Sequence, residues 1–406
     1  MKRLFSFVID QTRRGQAADW LVVAVAVSLP WSTSLTAILI VLWLIAVAPV
    51  LDIESVRREI MTPVGGAPVV LWGLAVVGML WADVDWSERL GGLRGYHKLL
   101  LIPLLLAQFR RSDRVTRVIL GFFISALALL VLSWLTTYTG PFWEREQADV
   151  GVPVKDYILQ SGIFAVCALG LLGQAVALRT ARPQLALAAV IIAAFFIANI
   201  IYVATSLTTL VVVAVLFLVF GFRQFGWKGV LAVGILGSVL AGLFWVSSPS
   251  LRNRVTHAVE EIQDYPAGPA ETSAGLRLEF WKRSIEFIAA APVVGHGTGT
   301  IATLFRQSAT GHTGMAAAVT GNPHNQILAV AIQLGLVGVL ALISMWAIHL
   351  TSFRERTLLG WYGLTVVVGN IVGSLFNSHL FDFSQGWLYV FGVGMLGGVI
   401  LKQKQI

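Results

Sequence analysis

The chain has 406 residues, 57% of them hydrophobic and only 12% charged, with a mean hydropathy of +0.79 and a formal net charge of +8. A soluble domain carries roughly 25% charged residues, and too few remain here to coat so apolar a fold, which excludes a water-soluble enzyme. A disordered or fibrous chain needs the opposite balance, and the single cysteine, Cys167, excludes an internal disulfide or thiolate cluster. An all-α polytopic membrane protein is what remains.

A helix crossing the hydrocarbon layer needs roughly 20 apolar residues. Twelve candidate spans follow in chain order: 17–33, 34–51, 66–82, 94–108, 115–139, 157–178, 184–203, 206–222, 227–247, 324–350, 357–377 and 383–401. The charge-free run 184–222 is too long for one span, and Thr205, Ser206, Thr208 and Thr209 mark where it turns back. The first run is no cleavable signal, since Lys2, Arg3, Arg13, Arg14 and Asp19 precede or open it and a second span follows at once.

Most of the 29 Lys and Arg residues fall in the terminal segments and in the loops after even-numbered spans, such as Arg110, Arg111, Arg114 and Arg117. That side is expected in the cytoplasm, with both termini. External cations are then Arg89, Arg94, Lys98, Arg145 and Lys155, plus six in the long segment 248–323. The chain thus divides into spans one to nine (1–247), a large periplasmic loop domain (248–323) and spans ten to twelve (324–406), with the chemistry expected in or beside the loop. The excess of outer-face cations suits polyanionic substrates.

Two amphipathic helices are legible in the loop. Leu251, Val255, Val259 and Ile262 share a stripe in the first, which Tyr265-Pro266-Ala267-Gly268-Pro269 ends. The second starts after Thr272 or Ser273 and runs through Arg277, Trp281, Ser284 and Ile288 to Ala291, where Pro292 stops it. Arg277 and Trp281 share a face. An interfacial role, aromatic rings in lipid and cations on headgroups, fits Trp281, Lys282 and Arg283 as well as a catalytic one. Gly295-His296-Gly297-Thr298-Gly299 could cradle phosphate, but it lacks the Lys-Ser/Thr of a nucleotide loop, and a flexible turn is the stronger reading.

Asn322-Pro323-His324-Asn325 opens the tenth span, with Pro323 as a helix-start residue. At about 100° per residue, Gly335 and Gly338 fall within roughly 40° of His324 on one stripe. Close helix packing along that face would turn His324 toward protein. A neutral imidazole there can accept a proton; an interfacial histidine bonded to a backbone carbonyl is the competing reading.

His324-Asn325, nine residues, then Gly335-Leu336-Val337-Gly338 resembles the His-Asn, nine-residue gap, Gly-x-x-Gly signature of the O-antigen ligases. Arg277 with Trp281, and Pro292-Val293-Val294-Gly295-His296-Gly297, resemble the Arg-x-x-x-Trp and Pro-x-x-Gly-x-Gly stretches of the same superfamily, which includes the O-antigen polymerases and bacterial O-oligosaccharyltransferases. The resemblance implies a glycosyltransferase-C-like fold. It implies transfer of a glycan from undecaprenyl diphosphate to lipid A–core oligosaccharide at the periplasmic face of the bacterial inner membrane, with inversion at the anomeric carbon.

His324 would then be the general base and Arg277 would hold the diphosphate, with Arg94 and Lys98 as secondary cations. Gly335 and Gly338 would pack under the site, and Asn325, Trp281, His379 and Asp382 would support it. No metal or other cofactor is expected. The partners are the lipid-linked donor, the lipid A–core acceptor and membrane lipids, and no nucleic acid. One departure stands out: relatives often carry Ser-Arg where Ser206 is followed by Leu207. An O-antigen polymerase is the alternative within the superfamily, and a polyprenyl-linked sugar flippase outside it.

Overall fold

A computed structural model describes residues 2–140, 149–263 and 272–404; Arg145 and the helix-ending stretch 265–269 lie outside the described residues. All regular structure among them is helical. In chain order the helices are α1 (Lys2–Ser28), α2 (Thr33–Val47), α3 (Ile53–Ile60), α4 (Pro63–Gly78), α5 (Trp86–His97), α6 (Leu101–Phe109), α7 (Val115–Thr139), α8 (Tyr157–Leu178) and α9 (Pro183–Tyr202). There follow α10 (Leu207–Phe225), α11 (Trp227–Ser247), α12 (Pro249–Gln263), α13 (Ser273–Ala290), α14 (Ile301–Ala309), α15 (Gln326–Ser352), α16 (Leu358–Gly373) and α17 (Phe383–Gln403).

Seven of these helices are long and apolar enough to cross a membrane, or eight if α3 and α4, bent by 85°, make one span. The chain is a multi-pass membrane protein. The seven, α7 to α11, α15 and α17, lie on seven of the twelve expected spans, while α2 and α16 are shorter apolar helices. The long run does turn at 203–206, where Ser206 caps α10 by accepting a hydrogen bond from the Thr209 amide. The expected span 94–108 is not one helix. α5 begins earlier, and a 3₁₀ turn, Lys98–Leu100, separates it from α6. Pro103 has no N–H to continue the helical ladder back to Leu99, which is tolerated only in the first turn of a new helix.

Two apolar cores hold the bundle. One joins α1, α2, α4, α5, α6, α15 and α17 around Trp43, Tyr96, Phe109 and Tyr389. The other joins α7 to α10 with α16 around Phe164, Phe196 and Trp361. A small third core, Phe280, Ile301, Phe305, Ala329 and Ile332, fastens α13 and α14 onto the top of α15. Thr272 caps α13 as expected. α11 buries only Gly229 and stands at the periphery.

Arg283 is buried, contrary to an interfacial placement. Its guanidinium donates to the carbonyls of Phe305 (2.6 Å) and Ala318 (2.7 Å) and to Ser308 Oγ (2.9 Å from Nε). One side chain thereby ties α13 to α14 and to the segment before α15. Burying guanidinium is tolerable because its donors are satisfied.

Candidate active site

The tenth span departs from the expected continuous helix. Asn325 is its N-cap, with Oδ1 accepting from the amides of Ile327 (2.9 Å) and Leu328 (3.1 Å) and Nδ2 donating to Leu375 O (3.0 Å). His324 therefore lies outside the helix, with a left-handed backbone (φ 55°). Gly335 is also left-handed (φ 58°) and breaks α15. The single stripe through His324, Gly335 and Gly338 does not exist, because both a turn and a kink intervene.

The break receives the glycine-rich loop. Leu336 and Val337 donate to the carbonyls of Pro292 (2.9 Å) and Val293 (3.2 Å). His296 and Gly297 donate to those of Ile332 (2.8 Å) and Gln333 (2.9 Å). In an unbroken helix Leu336 and Val337 would have served Ile332 and Gln333. Two helical bonds are replaced by four that splice the loop into the helix, which is how irregular backbone is tolerated within a bundle. The glycines make this approach possible: a Cβ on Gly335 would meet Val293 C and O at 2.4 Å, and one on Gly295 would meet Gln333 C at 2.5 Å.

Thr298 N donates to Gly78 O (3.0 Å) and Gly299 N to Gln333 Oε1 (2.9 Å). With four consecutive amides so engaged, this loop has none of them left to cradle phosphate. Gly338 is buried against Leu334 and Val330 of its own helix.

Above the splice, α13 packs three side chains around the His324 segment at helical i, i+3 and i+4 spacing. Trp281 Nε1 donates to Pro323 O (3.0 Å), so its polar end faces protein. Phe280 stacks on the imidazole, with ring centroids 6.3 Å apart and planes inclined 20°. Arg277 is half-buried, makes no hydrogen bond or ion pair among the described residues, and lies near enough for its charge to act on His324.

The loop between α16 and α17 supplies the other side. Asn377 Nδ2 donates to Asp382 Oδ2 (2.8 Å), which turns its Oδ1 toward His324 Nδ1 (3.0 Å). An amide oxygen only accepts, so Nδ1 carries the proton and Nε2 keeps the lone pair. Asn322 Oδ1 accepts from His324 N (2.9 Å) and Ser378 Oγ (2.7 Å), holding the strained backbone. Burial pulls the His324 pKa below its ordinary 6.5 and Arg277 adds to that, while the bond to Asn377 opposes it. Asp382 is pushed up to about 6 by burial, against the pull of Lys98.

The remaining expected residues separate. Lys98 is buried and donates to the carbonyls of Phe381 (3.0 Å) and Asp382 (2.7 Å), so it anchors the loop. Arg94 is exposed whereas Lys98 is buried, so the two do not act on one surface. His379 turns into the bundle, where it borders a small cavity with Asn370 and Thr209; burial lowers its pKa to about 4. Asn377, Asn322 and Phe280 went unassigned in the sequence. The polar string Asn377-Ser378-His379 between two apolar spans was the available signal.

Residues 189–343 match the family model of the O-antigen ligases. That stretch is similar to the O-antigen ligase family. It contains Arg277, the spliced loop, His324 and the broken helix, the stretch in which the sequence resemblance lay. A comparison with curated proteins finds no match.

Proposed function

We infer that this chain is an O-antigen ligase, moving a glycan from undecaprenyl diphosphate to a hydroxyl of lipid A–core oligosaccharide at the periplasmic face of the inner membrane. The observation that carries the reading is a histidine held in one tautomer by Asn377, its Nε2 without a partner among the described residues, beside an arginine that spends none of its donors on those residues. His324 Nε2 accepts the acceptor hydroxyl's proton as that oxygen attacks the anomeric carbon. Arg277 stabilises the charge gathering on the departing diphosphate, for which a planar, bidentate guanidinium is suited. Attack opposite the leaving group inverts the configuration. Twelve spans, with the loop domain 248–323 outside, would place these groups where both lipid-anchored substrates meet.

The test is a reconstituted transfer assay in EDTA with lipid-linked glycan and O-antigen-free lipopolysaccharide. A slower-migrating lipopolysaccharide band that is lost in His324→Ala is expected. Longer glycan on the carrier alone would make the protein a polymerase. No covalent product from competent substrates would overturn the enzyme reading in favour of a flippase.

A further inference from the structure

Two buried histidines have contrasting surroundings. His349 on α15 has both ring nitrogens engaged, Nδ1 with the Tyr389 hydroxyl (2.6 Å) and Nε2 with Val64 O (3.0 Å). His379, in the α16–α17 loop and only 8% exposed, has no partner for Nε2 among the described residues. Its ring lies against α16 at Gly373, where a Cβ would collide with it. One turn earlier Asn370, 5% exposed, leaves both polar atoms of its amide unpartnered, and so does the fully buried Ser374 its hydroxyl. Buried polar groups in folded proteins are hydrogen-bonded to protein or to ordered water. Four unspent atoms within 370–379 therefore point to something that serves them.

Asn370 and His379 border one cavity of about 40 Å³ between α8, α10, α16 and the start of α17, with Thr209, Ser384 and Gln385 as its other polar lining. Small organic ligands need roughly 300 Å³ or more. A water needs roughly 10–15 Å³ of such space, so the cavity has room for about two or three. The described lining carries no carboxylate, ammonium or guanidinium. Lys155 stands behind it, its ammonium donating to Ser384 Oγ (3.1 Å) and Leu29 O (2.7 Å). A bare ion in the cavity would be desolvated against neutral groups alone. Water both donates and accepts, so it satisfies the two ends of the Asn370 amide together and His379 Nε2 in either tautomer.

We propose that this cavity is a built water site, in which a small cluster of ordered waters joins Asn370 of α16 to His379 of the loop. The loop is already fixed from α15: Gln326 N donates to Ser374 O (2.8 Å) and Gln326 Oε1 accepts from Leu380 N (3.0 Å). Protein thus ties both ends of the segment 374–380, and water fills its inner side while Asn377 faces His324. The site is independent of the chemistry assigned to His324.

X-ray radiolytic footprinting of the purified full-length protein in detergent tests it. A millisecond pulse splits bound water as well as bulk water, the radicals oxidise side chains within reach, and mass spectrometry reads the positions. Trp43, also shut off from solvent and outside the cavity, is the dry control, and its indole is the more reactive ring. Oxidation at His379 with none at Trp43 is expected. No oxidation at His379 would overturn the proposal.

Two variants separate bound water from solvent leaking in. Asn370→Leu keeps the volume but removes the amide that anchors the cluster, and should abolish the His379 label. Asn370→Ala enlarges the cavity and leaves His379 and Ser384 polar, and should retain it. Labelling of His379 that persists unchanged in Asn370→Leu would place the radical source in bulk solvent and refute the site. The wild-type comparison with Trp43 decides the matter by itself where Asn370→Leu does not fold.

Discussion

Asn377 is the residue whose alteration tests the catalytic geometry most sharply. Its Oδ1 is 3.0 Å from His324 Nδ1. When Nε2 takes the acceptor's proton the ring becomes imidazolium, and the Nδ1–H bond becomes charge-assisted, worth about 1.5–3 kcal/mol. Asn377→Leu removes that acceptor at similar volume. Losing the bond in the transition state should cost about 10- to 100-fold in turnover, against about 10²–10⁴-fold for His324→Ala, which removes the base itself.

The pH profile separates positioning from mere packing. In the native site the His324 pKa lies below 6.5, so the reactive neutral ring is lost only as pH falls through a value lower than that. Asn377 supplies an interaction that raises this pKa. Asn377→Leu should therefore move the acid limb to lower pH while lowering the plateau, and Asn377→Asp, with an anionic acceptor, should move it to higher pH. Transfer rates in proteoliposomes between about pH 5 and 8 read both effects. A plateau unchanged in Asn377→Leu, or an acid limb that stays put in both variants, would refute the tautomer argument.

Arg277→Met should depress turnover strongly and, by removing a positive charge that lowers the His324 pKa, raise the acid limb of whatever activity survives; Arg277→Lys should keep the limb but lose rate, since an ammonium cannot bind phosphate oxygens as a fork. Gly335→Ala should cost more than the about 1–3 kcal/mol of placing a side chain in this glycine-only backbone (φ 58°, ψ −156°), because its Cβ also meets Val293 at 2.4 Å. A melting temperature in detergent no lower than that of Gly73→Ala, where a Cβ meets nothing within 4 Å, would count against the splice. Arg283→Leu should leave the Phe305 and Ala318 carbonyls unpaired, loosening α13 and α14 by about 3 kcal/mol or more. Limited proteolysis of the loop domain, with the bundle's melting unchanged, would register it.

What could be read from the sequence was whatever depends on local composition. The helices, the turn at Ser206 and the Thr272 cap are written in runs and single residues. The Arg277–Trp281 pair on one face of α13 was legible for the same reason. His324 was legible as a residue but not in its setting: a constant 100° rotation carried it onto a stripe with Gly335, whereas the backbone reverses at His324 and breaks at Gly335. Gly335 looked like a helix-packing glycine because, in sequence, a residue that lets another backbone enter the helix is indistinguishable from one that lets a neighbour lie alongside. Arg283 and Lys98 read as interfacial or phosphate-binding cations; their carbonyl partners are remote in sequence, Phe381 being 283 positions from Lys98.

The nine-residue gap between the His-Asn pair and the Gly-x-x-Gly pair acquires a physical meaning from the splice. α13 and the start of α15 run side by side and are tied at two levels, Trp281 to Pro323 above and Pro292 to Leu336 below. From Trp281 to the end of α13 at Ala290 is 9 residues, about 14 Å of helix, and from the start of α15 at Gln326 to Leu334, before the break, is 8 residues, about 12 Å. The break thus sits at about the depth where α13 ends. One residue more or fewer in the gap would shift the lower tie by about 1.5 Å and rotate it by about 100°, so that either the splice or the Trp281–Pro323 bond must be given up. The spacing therefore sets how Arg277 stands to His324, and the glycines hold these two residues, the proposed cation and base, in register.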